Sequence, residues 1–343
     1  MANLPTLLFI PGAWHKPTCF HKVIDILQHR YHLKCVTVTL SSTKGNPEAT
    51  FKDDLDAARA VLTNETSAGR DVLLIAHSYG GMIGNSAIKG FTRTYGAKED
   101  TSTATSTSTS SSIQQISRHH PPSTGHVIGL VLITSGFTLT GLAMMDLFFG
   151  IPPPFMRKNT ATGFSELVTP PRKAFYHDLT ADEAEEAIAQ LTPQSSKALF
   201  EGGEYAYSGW KDVPLWYIGA TEDGSFPVVA QRINVGMARS MGANVEHREL
   251  RTSHSPFLSQ PEEVVKILVD AVEVFTGRST GVMASNDALK EDIIVPATNL
   301  WKPRSWLTYG LPLMFGHVLG RCVNIVGWTR SLFRRICEIS YPR

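Results

Sequence analysis

Short apolar runs alternate with amphipathic stretches along most of the chain. Leu7 to Ile10 reads as a buried strand stopped by Pro11-Gly12. Thr18 to Arg30 reads as a helix whose Phe20, Val23, Ile24 and Leu27 share one face. Cys35 to Leu40, rich in β-branched residues, is the next strand, and the Gly, Asn and Pro of Ser41 to Pro47 mark a turn region. Asp53 to Leu62 is helical in pattern. The apolar run Val72 to Ala76 suits a buried strand and is too short for a helix, and Met82 to Lys89 after it is compatible with a helix. Val127 to Ile133 continues the series. Such alternation predicts an α/β fold with a mostly parallel central sheet flanked by helices.

The rhythm is interrupted twice before it ends. Residues 101–112 are almost entirely Ser and Thr, so an insertion of about 97–125 has little to bury and is expected to be a disordered surface loop. From about residue 137 to 212 the strand pattern stops. Met144, Met145, Leu147, Phe148 and Phe149 form an apolar cluster, and Pro152-Pro153-Pro154 follows it. Thr180 with Glu183 makes a capping box that opens a helix through Leu191. A helical, Met- and Phe-rich excursion between two strands suits a cap over a pocket, with ordinary core packing as the alternative. The sheet resumes at Val213 to Gly219, Val245 to Leu250 is its last strand, and Pro261 to Phe275 forms a final amphipathic helix. The α/β unit is thus expected over 1–277, and 278–343 as a polar linker followed by a tail.

That tail differs in character. Trp306 to Gly320 contains no Asp, Glu, Lys or Arg, yet Lys302 and Arg304 precede it and Arg321, Arg330, Arg334 and Arg335 follow. A spanning helix needs about 20 apolar residues, which this run does not supply. Residues 301–335 therefore predict either peripheral contact with a membrane interface or packing on the domain or on a partner.

Composition narrows the function classes. The 343 residues are 42% hydrophobic with a formal net charge of +1, which fits a soluble globular protein and gives no electrostatic footprint for nucleic acid. Cys19, Cys35, Cys322 and Cys337 lack metal-ligand spacing and are too few for a disulfide framework. Reduced thiols, and an N-terminus without a basic and apolar leader pattern, point to a cytoplasmic protein. No metal or cofactor motif is present.

The stretch that carries chemistry is Ala76-His77-Ser78-Tyr79-Gly80-Gly81. A Ser pinched between a strand and a helix, with tiny residues two before and two after it, describes a nucleophile elbow. Ala76 replaces the usual first Gly. Helix capping by Ser78 is the competing reading.

A serine hydroxyl needs a base, and the base needs an orienting acid. In an open α/β sheet these follow in the order Ser, Asp or Glu, His. Glu222 and Asp223 lie just after the strand ending at Gly219, and His254 just after the strand ending near Leu250. Both places fall at the carboxyl ends of parallel strands, where such sheets gather their sites. Asp223 is preferred as the acid because it is shorter and precedes Gly224; Glu222 is the alternative. Backbone amides of Tyr79 and Ala13 are the expected oxyanion donors, with Trp14 the second choice for the first loop. Trp14, His15, Met144 and Phe148 are expected to line the substrate pocket. His77 is expected to pack beside the nucleophile and His177 to be structural.

Through Phe9-Ile10-Pro11-Gly12-Ala13-Trp14-His15, the elbow, and Ser253-His254-Ser255-Pro256-Phe257, the chain resembles the α/β-hydrolase superfamily over about residues 4–276. It looks most similar to the branch holding plant methylesterases, hydroxynitrile lyases and fungal natural-product hydrolases. The first-loop His-Gly pair of that family is Pro-Gly here. The resemblance implies a cofactor-free serine hydrolase acting on a small-molecule ester or thioester, in secondary metabolism. It also admits, as the alternative, a lyase or cyclase that uses the same three side chains without an acyl-enzyme. A ligand-binding protein on the same fold is the third reading.

Overall fold

In a computed structural model, which describes residues 4–93, 124–280, 293–299 and 301–340, the alternating pattern folds around a seven-stranded sheet. Its first half comprises β1 (Thr6–Ile10), α1 (His21–Tyr31), β2 (Cys35–Thr37), α2 (Phe51–Ser67), β3 (Val72–His77), α3 (Gly80–Ala87) and β4 (Val127–Ile133). β3 lies between β1 and β4, paired parallel to both, with Phe9 opposite Ile75 and Ile75 opposite Val131. Every residue of β1 and β3 is buried. That is why both read as unbroken apolar runs: helices cover the two faces of a parallel sheet. β2 keeps only three residues of the expected strand. α2 starts earlier than its apolar pattern indicates, because Thr50 and Asp53 form a capping box, with Asp53 Oδ2 accepting the Thr50 amide at 2.8 Å. The Ser/Thr-rich insertion of about 97–125 lies outside the described residues apart from its last two.

The excursion between β4 and the next sheet strand is mixed. It holds β5 (Met156–Lys158), β6 (Phe164–Leu167), α4 (Pro171–Phe175), α5 (Ala181–Ala189), β7 (Gln194–Ser195) and α6 (Ser196–Phe200). The three strands form a small antiparallel sheet, so the cap expected to be helical is a mixture of short helices and strands. These strands are too short to leave a period in the sequence. The cap is tied to the first loop through Trp14, whose indole Nε1 donates to Ser165 O at 2.9 Å and whose carbonyl accepts the Thr192 amide at 2.9 Å.

The chain then returns through β8 (Leu215–Ala220), α7 (Val228–Ser240), β9 (Val245–Leu250), α8 (Pro256–Ser259) and α9 (Pro261–Thr276). α9 stops at Gly277, which takes the left-handed conformation (φ 65°) of a helix C-cap. The polar stretch after it is not all loop. β10 (Ile293–Ile294) pairs antiparallel with β9 and gives the order β10-β9-β8-β4-β3-β1-β2. The tail continues through α10 (Pro303–Ser305) into α11 (Leu311–Ser340), which packs along α7.

A buried ion pair fixes this edge. The Arg232 guanidinium donates to both carboxylate oxygens of Glu249 at 2.8 and 2.7 Å, and to Thr308 O at 2.9 Å. It also lies 4.3 Å from the Tyr309 ring centroid. Both charged side chains are almost fully buried. Arg232→Met is expected to destabilise the fold by about 3–5 kcal/mol in urea denaturation, because Glu249 is left as an unpaired buried charge. The double variant Arg232→Met/Glu249→Leu should recover most of that loss.

Candidate active site

Ser78 sits where β3 turns into α3, and its backbone is left-handed (φ 50°). A non-glycine residue holds that conformation only when its surroundings impose it. Two close approaches do so. A Cβ on Gly80 would stand 2.3 Å from Pro11 O, and one on Gly12 would stand 3.0 Å from Ser78 Cβ and 2.9 Å from His77 Nδ1. The Ser78 amide donates to Ile133 O at 3.0 Å, and Ser135 Oγ donates to Ser78 O at 2.6 Å. Tyr79 turns its side chain into the core, where its hydroxyl donates to Asp54 Oδ2 at 2.9 Å.

The loops after β8 and β9 bring Asp223 and His254 together. His254 Nδ1 donates to Asp223 Oδ2 at 2.7 Å. Asp223 is otherwise saturated with donors: Gln231 Nε2 at 3.1 Å on Oδ2, and on Oδ1 the Ser225 amide, the Ser225 hydroxyl and the Phe226 amide at 2.8–3.0 Å. A carboxylate so engaged acts as acceptor, so Nδ1 is the donor in this pair and Nε2 is the ring nitrogen left to face the cavity. The His254 carbonyl accepts Thr134 Oγ1 at 3.0 Å and His77 Nε2 at 3.1 Å, which anchors the backbone behind the ring. Glu222, the alternative acid, has an exposed side chain, and its carbonyl accepts His177 Nε2 at 2.7 Å.

Ser78 and His254 line one cavity of about 20 Å³ beneath the cap, together with Met144, Phe155, Phe175 and Leu199. That volume is about one water molecule. Ala13, Trp14, His15 and Tyr79 also border it. Phe148 does not; it is 37% exposed, because its short 3-10 helix turns Met144 and Met145 inward and leaves Leu147 and Phe148 outside. The sequence pattern also missed Phe155, in the turn before β5, and Phe175 and Leu199, in cap helices too brief to carry a motif. Ser225 was within reach, since a Ser two residues after an Asp is a turn signal.

His15 holds the first loop rigid. Its backbone amide donates to Gly12 O at 3.3 Å and its Nδ1 to Ala13 O at 2.7 Å, while Tyr176 donates its hydroxyl to Nε2 at 2.8 Å. The two peptide units flanking Ala13 are therefore both fixed by one residue. The Trp14 amide is committed to Gln194 Oε1 at 3.3 Å. No hydrogen bond engages the Ala13 amide among the described residues.

Burial keeps several imidazoles neutral. It pushes the pKa of His15 down to about 4, that of His247 on β9 down to about 3, and that of His77 well below its usual value. As pH falls through about 6.5 the unfolded chain takes up protons that the fold refuses. The three groups are thus expected to cost stability from about pH 6.5 downward, by up to about 1.4 kcal/mol per pH unit for each. Urea denaturation between about pH 7 and 5 measures this, and a flat profile would contradict it.

Known proteins share this architecture. Residues 7–267 match the model of the alpha/beta hydrolase family. The alpha/beta hydrolase nvfD of Aspergillus novofumigatus is 22% identical over 270 residues, 78% of this chain and 96% of that protein. A pyrethroid hydrolase from Sphingobium faniae superposes with a TM-score of 0.57 at 17% identity, covering 80% of this chain and 100% of that one. Tomato methylketone synthase I in complex with 2-tridecanone superposes with a TM-score of 0.56 at 13% identity, covering 80% and 99%. With the family model spanning most of the chain and the sheet, elbow and cap arranged as described, the protein belongs to the alpha/beta hydrolase family.

Proposed function

We propose that the protein is a serine hydrolase that cleaves an ester or thioester of a small, largely apolar molecule, with Ser78 as nucleophile. The observation that carries this reading is the 2.7 Å hydrogen bond from His254 to Asp223, with His254 bordering the same cavity as Ser78. His254 Nε2 takes the Ser78 proton as Oγ bonds to the substrate carbonyl carbon. The carbonyl oxygen becomes an oxyanion held by the Ala13 and Tyr79 amides. His254 returns the proton to the departing alcohol or thiol, leaving an acyl-serine. Water, deprotonated by His254, then releases the acid and restores the Ser78 hydroxyl. Asp223 fixes the tautomer and stabilises the transient imidazolium. No cofactor takes part in these steps.

The substrate class rests on the cavity lining. Met144, Phe155, Phe175 and Leu199 offer apolar contact, and pockets of this kind use few polar anchors. A cavity of about 20 Å³ admits no substrate until the cap, residues about 137–212, moves outward. The free thiols of Cys19, Cys35 and Cys322 favour a cytoplasmic location. The resemblance to fungal natural-product hydrolases extends the proposal to secondary metabolism.

A fold shared with a protein named methylketone synthase keeps acyl-enzyme-free chemistry as the second reading. Activity on a panel of aryl esters and acyl thioesters of graded chain length tests the first. Ser78→Ala should lower kcat/KM by about 10⁴-fold or more, and a fluorophosphonate should add one adduct to the wild type and none to the variant. Asp223→Asn should lower kcat by about 10⁴-fold with little change in KM, because the imidazole loses its fixed tautomer. Full turnover by Ser78→Ala, or products other than acid and alcohol or thiol, would sink the hydrolase reading.

A further inference from the structure

The tail helix α11 has two apolar faces, and only one is used by the fold. The inner face is built around glycines, with Pro312 and Leu313 beside them. A Cβ on Gly316 would stand 2.1 Å from Ile233 O, one on Gly320 would stand 2.7 Å from Met237 O, and one on Gly236 of α7 would stand 2.3 Å from Leu313 O. The two backbones touch through glycines spaced as in close-packed helix pairs. Ser240 Oγ donates to His317 O at 2.9 Å, and Arg232 holds the start of the tail through Thr308 O. The helix cannot rotate to hide its other side.

That other side is a stripe. Leu311, Met314, Phe315, Val318, Ile325 and Val326 recur at helical spacing, and all are exposed, Phe315 by 60% and Ile325 by 61%. Leu307 at 68% and Trp301 at 91% extend the patch toward the start of the tail. A contiguous apolar surface of this kind on a folded protein marks an interaction site. Its charge identifies the partner. Ile293 to Cys337 contains no Asp or Glu, while Lys302, Arg304, Arg321, Arg330, Arg334 and Arg335 all fall within it. Lys302, Arg304 and Arg321 are exposed.

We propose that the outer face of α11, with Trp301 and Leu307, docks the protein on an anionic lipid surface. The apolar stripe enters the headgroup boundary, and the side chains of Lys302, Arg304 and Arg321 reach up to lipid phosphates and carboxylates. The exposed Trp301 suits the interfacial belt that such indoles occupy. The helix lies on the membrane without crossing it: among the described residues no helix is long and apolar enough to span. A second copy of the chain fits less well, because pairing this face with itself brings cationic segments together without an acidic residue to offset them. The inference goes beyond the proposed hydrolase activity and stands or falls without it.

Flotation of the full-length protein with phosphatidylcholine vesicles, with and without phosphatidylserine, tests the docking. Binding is expected on the anionic vesicles and should be about tenfold weaker on phosphatidylcholine alone or in high salt. Phe315→Glu/Val318→Glu should weaken anionic-vesicle binding at least about tenfold, with an unchanged melting profile because both residues point away from α7. Should that variant fail to fold, quenching of wild-type tryptophan fluorescence by brominated lipid replaces it. Quenching that is reduced in Trp301→Phe supports insertion, and no quenching overturns it. Wild type that stays unbound to anionic vesicles, or a folded double variant that binds as well as wild type, also overturns the proposal. So does a dimer in light scattering that the same double variant dissolves, since the face would then belong to a second copy.

Discussion

Ser78 holds a left-handed backbone between β3 and α3, and it does so because the chain around it leaves no room for another arrangement. Gly12 and Gly80 let the first loop and the start of α3 approach to van der Waals contact with the elbow, where any side chain would collide with main-chain or His77 atoms. Strain of this kind costs on the order of 1–3 kcal/mol and persists only where packing over-determines it. The first loop and the neighbouring strand β4 both meet this turn. The Tyr79 amide follows it in sequence, the first loop lies against it, and the carbonyl of Ile133 on the next strand holds the Ser78 amide.

Around the elbow the polar groups are arranged so that few are free to move. Asp223 is saturated by donors from its own turn, from α7 and from His254. His15 fixes both peptide units beside Ala13, and Tyr176 fixes His15 from behind. These are buried networks, in which each hydrogen bond is stronger than in water and each missing one is costly. The result is a rigid set of donors and acceptors under a cap that is joined to it through Trp14 and its contacts with Ser165, Thr192 and Gln194.

The tail obeys different physics on its two sides. Against α7 it gains dispersion contacts through backbone proximity, which glycines permit and larger residues forbid. Its outer stripe is apolar and exposed, so water contact there is unfavourable until another surface removes it. The buried Arg232–Glu249 pair joins these regions, linking β9, α7 and the tail at one point.

By itself the sequence determined the layered core. The runs Leu7 to Ile10, Val72 to Ala76 and Val127 to Ile133 specify buried parallel strands, because a strand covered on both faces has no polar period to confuse the reading. That Ser78, Asp223 and His254 each follow a strand was also legible, since strand ends and turn residues leave a local signal in the sequence. What only the tertiary structure decided is which carboxylate faces the imidazole, which first-loop amide is left open, and which cap side chains reach the cavity. Asp223 and Glu222 are adjacent, as are Ala13 and Trp14, and one residue of rotation would exchange their surroundings. Met144 and Phe148 are equally apolar, yet the sense of one short helix turns the first inward and the second out. The tail makes the same point, for composition shows it to be apolar and basic, while the glycine contacts with α7 decide which of its faces is left to the solvent.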